Sequence, residues 1–315
     1  MKRYLFLLTL TFTFALFACK SKRPNETESP TSGYINISAD ETLQPIAEAE
    51  VDVFNHTYPY AKINLRYKTE TEAIKDMLDD TSRLIFLGRP LTTQEHTFFE
   101  SQQLHPIQNV VAIDALALIV NPKNPDTTLT YEQALNIFKG NTTNWNKLDK
   151  SKTGDLNLVF DSQGSGTVNY ILALTGQATL PKNAYASKSN LETVNYVATH
   201  EDAIGVIGWS WLSDSDDKTT QEYLKKIKVV ALSPRKPELG KGFFKPYQQA
   251  LSSGAYPLAR NVYIIQRGNM SGLGAGFSAF VYNDIGQTIL LKAGLQPANP
   301  PRRDIEMITK PLKIK

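Results

Sequence analysis

The chain has 315 residues, with 34 lysines and arginines against 31 aspartates and glutamates and a formal net charge of +3. Hydrophobic residues make up 41% and charged residues 21%, the proportions of a soluble globular protein large enough for about two domains. The excess charge sits in residues 1–33, where Lys2, Arg3, Lys20, Lys22 and Arg23 outnumber Glu26 and Glu28; the remainder is neutral, so no basic stripe points to nucleic acid and that partner class is excluded.

After Lys2 and Arg3 comes LFLLTLTFTFALFA, an uncharged apolar run. It is too short to span a bilayer and stands where a secretory signal belongs, so 1–18 is read as a signal peptide. Leu16, Phe17, Ala18 and Cys19 resemble the bacterial lipobox, with Phe17 bulkier than the usual occupant. Cys19 is the only cysteine and cannot form an internal disulfide; lipidation gives a lone exported thiol its role. Two acyl chains on Cys19 would anchor the protein stably outside the cytoplasm, facing the periplasm. The polar stretch KSKRPNETESPTSG then makes 19–33 a lipidated tether.

YINIS at 34–38 alternates as a short strand, and Leu43, Ile46, Ala47, Val51 and Phe54 follow at helical spacing. KINLRY is strand-like, a helix is expected around Ala73–Leu78, and LIFL is a buried strand running into Gly88, Arg89 and Pro90. This alternation predicts a parallel sheet covered by helices. VVAIDALALIV is the longest apolar run after the leader, broken once by Asp114. A helix through Leu129, Ala134, Leu135 and Phe138, a strand LNLVF and a glycine-bearing strand AIGVIGW follow. Residues 233–256 are basic and show no regular pattern; NVYIIQ returns as a strand, and one helix is expected over 279–295.

LNLVF delivers the chain to DSQGSGTVNY, where Gly164, Ser165, Gly166 and Thr167 precede the periodic residues Val168, Ile171 and Leu172. A nucleotide-cradling loop would need a lysine before Thr167, where Gly166 stands. A nucleophile elbow would read G-x-S-x-G and need a histidine, and the four histidines show no such spacing. No cluster of ligating residues suggests a metal or another cofactor. An anion clamp survives: the first turn of a helix offers unpaired amides at the positive end of its dipole, two glycines permit close approach, and two hydroxyls can donate. The strand-to-helix segments Ser38–Thr42 and Lys68–Thr71 share this design, and ligands of open α/β sheets sit where such loops gather.

In this order the segments SADETL, FLGRPLTTQE, VVAIDALALIVNPKNP, LTYEQALNIFKGNTTNW, GSGT, AIGVIGW, YPLARNVYII and VYNDIGQTILLKAGLQP resemble the PstS-like phosphate binders of the periplasmic substrate-binding protein superfamily. The resemblance implies a type II α/β fold of two lobes, each a mainly parallel sheet flanked by helices and hinged by crossing strands. Lobe one is expected over 34–110 and 259–315, and lobe two over 111–258. It implies a non-enzymatic monomer that carries phosphate, or a related small oxyanion, to an ABC permease in the membrane. A sensing or adhesion lipoprotein that kept the fold, or a phosphoester hydrolase, is the alternative. Carried over residue by residue, the anion site falls on Thr42, Leu43, Ser165, Gly166 and Thr167, with Thr71 substituting for a serine of the second loop. Asp161 stands where the family places an arginine, Gln163 where it has an acidic residue, and Gly88 and Arg89 where it has an aspartate. One arrangement that restores the chemistry has Arg89 as the positive fork and Asp161 as the acceptor; the other has the two paired with each other or turned to solvent.

Overall fold

The computed structural model describes residues 28–148, 154–268 and 271–301. The expected signal peptide, Cys19, most of the tether and the last fourteen residues lie outside them.

The first part of the chain is built as expected: β1 (Gly33–Asp40), α1 (Gln44–Thr57), β2 (Ala61–Lys68), α2 (Glu70–Leu78) and β3 (Leu84–Leu87), with β2 and β3 both parallel to β1. A helix α3 (Thr93–Ser101), opened by a Thr92–Glu95 capping box, leads to β4 (Ile107–Val120). This 14-residue strand is the apolar run interrupted by Asp114. Beyond it come β5 (Thr128–Leu129), α4 (Tyr131–Phe138), β6 (Asn157–Phe160), α5 (Gly166–Thr175), β7 (Ala184–Ala186), α6 (Asn190–Thr199), β8 (Ala203–Gly208) and α7 (Lys218–Lys226). The short strands β9 (Lys228–Val229) and β10 (Ala231–Leu232) come next, and the regular structure within 233–256 is a 3-10 turn at Pro237–Leu239 and the short helix α8 (Gln248–Ser252).

The chain then returns through β11 (Ala259–Gln266) and closes with α9 (Gly272–Tyr282), α10 (Asp284–Lys292) and β12 (Gln296–Pro297). Where one helix was expected over 279–295 there are two. Asn283 leaves helical geometry, and its Oδ1 accepts from the N–H groups of Ile285 and Gly286 to start α10.

The sheet order is β2-β1-β3-β11-β4-β8-β6-β7, with β9 and β12 also on β4. β4 belongs to both halves. Its first part pairs antiparallel with β11, from Ile107↔Gln266 to Ala115↔Ala259, and its second part pairs with β8 from Leu116 to Val120. Each lobe accordingly has its own apolar core: residues between Ala115 and Leu258 form one, residues 35–112 and 262–295 form the other, and a smaller separate cluster around Met77, Leu87 and Phe99 belongs to the first lobe. The molecule is thus a two-lobed α/β protein in which the carboxyl ends of β1, β6 and β8 face one another across the junction.

Candidate functional site

Gly164 adopts φ +80°, a left-handed turn open to glycine, and Ser165 follows as N-cap of α5, its Oγ accepting from Val168 N at 3.2 Å. Ser165 Oγ also donates to Asp161 Oδ1 at 2.6 Å, so the carboxylate at the end of β6 fixes the cap. Asp161 takes a second, longer bond from Asn190 Nδ2 at 3.4 Å. Burial pushes its carboxyl up to about 7, the Ser165 bond opposing and the charges of Asp40 and Glu41 adding to the rise.

From the other lobe Asp40, at the end of β1, reaches the tip of α5. Its Oδ2 accepts from Gly166 N at 2.9 Å and from Thr42 Oγ1 at 2.9 Å, while Oδ1 accepts from Thr42 N at 3.3 Å. A Cβ on Gly166 would run into Asp40 Oδ2, so any side chain there would have to push the carboxylate off the amide. Burial lifts Asp40 to about 7 as well, against the attraction of Arg260 and with Glu70 adding to the rise.

The positive charge of the site is Arg260, on β11. Its Nε and Nη2 donate to Asp114 Oδ2 at 3.2 and 3.0 Å, and Nη2 also donates to Thr42 Oγ1 at 3.0 Å. Both members of this ion pair are buried, with side chains 1% and 0% exposed. Burial opposes the charge on Arg260, but Asp114, Asp40 and Asp161 more than offset it and hold the guanidinium protonated. Its Nη1 lies 2.9 Å from where a Cβ of Gly88 would be, so the glycine after β3 makes room for the arginine. Arg260 Nη1 and Thr167 Oγ1 are both buried without a hydrogen-bond partner.

The residues read from the sequence are therefore placed unequally. Thr42, Leu43, Asp161, Ser165, Gly166 and Thr167 are all fully buried or nearly so at the junction. Thr42 and Asp161 bond directly within it, and Leu43 belongs to the first lobe's apolar core. Thr71 is exposed on the first turn of α2, its Oγ1 3.7 Å from the position a Cβ of Gly164 would take. Arg89 stands apart from Asp161. Its Nε donates to Glu70 Oε1 at 2.8 Å and its Nη1 and Nη2 hold Glu95 at 2.8 and 2.9 Å, so the guanidinium is already engaged, and the arginine that lies at the junction is Arg260. Asp40 and Arg260 were missed as site residues. The available signal for Arg260 was strand parity: it shares the inward side of β11 with Val262 and Ile264, and the lone Asp114 of the facing apolar strand needs a cation.

Two α/β lobes on crossing strands, with backbone amides and an arginine converging between them, define a solute-binding protein of the periplasmic-binding-protein type. The chain belongs to the PBP superfamily, whose domain profile matches residues 24–284. It is 26% identical over 287 residues to the phosphate-binding protein PstS of Pseudomonas aeruginosa, covering 85% of this chain and 84% of that one. PstS of Bacillus subtilis is 23% identical over 305 residues, covering 94% of each chain. Among solved structures, a phosphate ABC transporter substrate-binding protein from Clostridium perfringens, with phosphate bound, superposes with a TM-score of 0.70 at 23% identity. That alignment covers 84% of this chain and 100% of the other, and at this identity it establishes the fold.

Proposed function

We propose that the protein binds inorganic phosphate, or a closely related small oxyanion, at the N-terminus of α5 between the lobes and delivers it to an ABC permease. The observation that carries this reading is the pair of buried, unpartnered groups Arg260 Nη1 and Thr167 Oγ1 beside the first amides of α5. Buried donors are rarely left without an acceptor, and a guanidinium, a hydroxyl and a helix tip together suit a compact anion. The likeness to PstS proteins supports phosphate as that anion. The protein acts by binding rather than turnover: Ser165 Oγ is held as a cap between Asp161 and Val168 N. Anchoring through Cys19 outside the cytoplasm, as a monomer, belongs to the same reading, and among the described residues no helix is long and apolar enough to cross a membrane.

Isothermal titration with phosphate and sulfate tests it. Replacing both Ser165 and Thr167 by alanine is expected to weaken phosphate binding by about tenfold or more, the worth of one lost bond to a charged group. Unchanged affinity in the double variant would remove the anion from this helix tip, and release of phosphate from phosphoesters by the purified protein would favour the hydrolase alternative.

A further inference from the structure

Asp40 is an anion already seated at the helix tip. Its Oδ2 accepts the Gly166 N–H at 2.9 Å across the junction, from a residue 126 positions away in the chain, at the place where a bound oxyanion would accept. The contact is one of three of the same kind. Glu41 Oε1 accepts from Asn190 N, the first amide of α6, at 3.2 Å, and Glu70 Oε1 accepts from Asn169 Nδ2 at 2.8 Å. Each brings a carboxylate of the first lobe to a donor of the second, and two of the three donors are first-turn amides of helices. Thr42 O, accepting from Ser210 Oγ at 3.1 Å, and Glu41 O, accepting from Trp211 Nε1 at 3.3 Å, complete the seam.

We propose that Asp40 sets the affinity of the anion seat, as a tethered carboxylate that closes the lobes in the absence of ligand and that an entering oxyanion must displace from the Gly166 amide. The inference rests on the seat described above. Three features of the site bear on it. Asp40 Oδ2 already sits at 2.9 Å from the Gly166 nitrogen, so the carboxylate and an oxyanion cannot both accept its single hydrogen at that distance. Arg260, whose Nη1 is unpartnered, lies close enough to be shared by either negative group, so exchanging one for the other conserves the charge balance. Once displaced, Asp40 remains beside Thr42 and is stabilised by a proton, taken from a ligand O–H or from solvent.

The test is calorimetric titration of the folded chain with inorganic phosphate at pH 8, together with small-angle scattering of the ligand-free protein, for wild type, Asp40→Ala and Asp40→Asn. Asp40→Ala is expected to bind phosphate about tenfold more tightly, one charge-assisted bond no longer having to be broken, and to show a larger ligand-free radius of gyration. Asp40→Asn retains the cap acceptor for Thr42 N and should shift both readings the same way by less, which separates the effect from misfolding. Phosphate binding that is unchanged or weaker in Asp40→Ala would overturn the proposal while leaving the seat in place. Silence from all three proteins would remove the seat itself, and the proposal with it. Binding by Asp40→Ala alone would be the expected effect at its extreme.

Discussion

Arg260 and Arg89 are both ion-paired, yet the consequences of losing them differ. Arg260 is enclosed with Asp114, Thr42 and Asp40, and its removal strands a buried carboxylate. Arg260→Ala should abolish measurable phosphate binding and cost about 3–5 kcal/mol in chemical denaturation, the usual penalty for breaking a buried pair. Adding Asp114→Asn to that variant should recover part of the stability and none of the binding, which separates the two roles. Arg89 is 30% exposed at the side chain and its guanidinium is held by Glu70 and Glu95 rather than by the tip of α5, so Arg89→Ala should leave phosphate affinity within about threefold. The two junction carboxylates give the site a pH dependence of definite sign. Asp40 and Asp161 titrate at about 7, so both lose protons as the pH climbs from 6 to 8 and then repel an entering anion. Phosphate affinity should fall across that interval, and Asp161→Asn should flatten the fall. Because phosphate itself changes charge over the same interval, the reading is the difference between the two proteins: identical pH profiles for wild type and Asp161→Asn would mean that this carboxyl does not face the ligand.

Within the elements, Glu50 of α1 carries the clearest stability test. It is 0% exposed, and neither carboxyl oxygen has a hydrogen-bond partner. Burial alone raises its carboxyl from 4.5 to about 9. The unfolded chain releases this proton near pH 4.5 and the folded chain only near 9, so the contribution of Glu50 to stability is fully present below pH 4.5 and drains away as the pH rises towards 9. Glu50→Gln should therefore melt higher than wild type at pH 8 and lose that advantage at pH 4; equal melting at both would show the carboxyl reaching water. The elements also show what the residues disclosed in advance. β1, α1, β2, β3 and β11 were legible because their apolar spacing is local, and the tip of α5 was legible because its glycines and hydroxyls are contiguous. α3, α6 and α7 were not, although each begins at a side-chain cap on Thr92, Ser189 or Asp217. The apolar faces of α3 and α7 are narrow, with Phe99 the only buried residue of α3 and Thr220 and Tyr223 those of α7, and α6 mixes Asn190 and Thr193 into its buried face beside Val194 and Val197. Asp40 and Arg260 escaped notice for a different reason. Their roles arise from pairings across 126 and 146 residues, Asp40 with Gly166 and Arg260 with Asp114, which no local window contains.

At the scale of the molecule the two lobes differ in how they are completed. The second lobe draws its core from residues 115–258, one uninterrupted stretch. The first draws on 35–112 and again on 262–295, with β11 inserted between β3 and β4. A fragment 111–258 is accordingly expected to give a dispersed amide spectrum with cooperative melting, whereas 28–110 alone should not, because β3 and the first part of β4 both lack their shared neighbour. Tight, cooperative folding of 28–110 would show that β11 is dispensable.

That late insertion has a consequence for biogenesis. A chain emerging amino-end first can assemble its middle portion early, but its opening strands stay unpaired along one margin until residue 266 has been made. The margin is LIFL, uncharged and apolar, and well suited to sticking to its like. The protein thus carries its greatest hazard of self-association during synthesis, and holdase protection should matter most before β11 arrives.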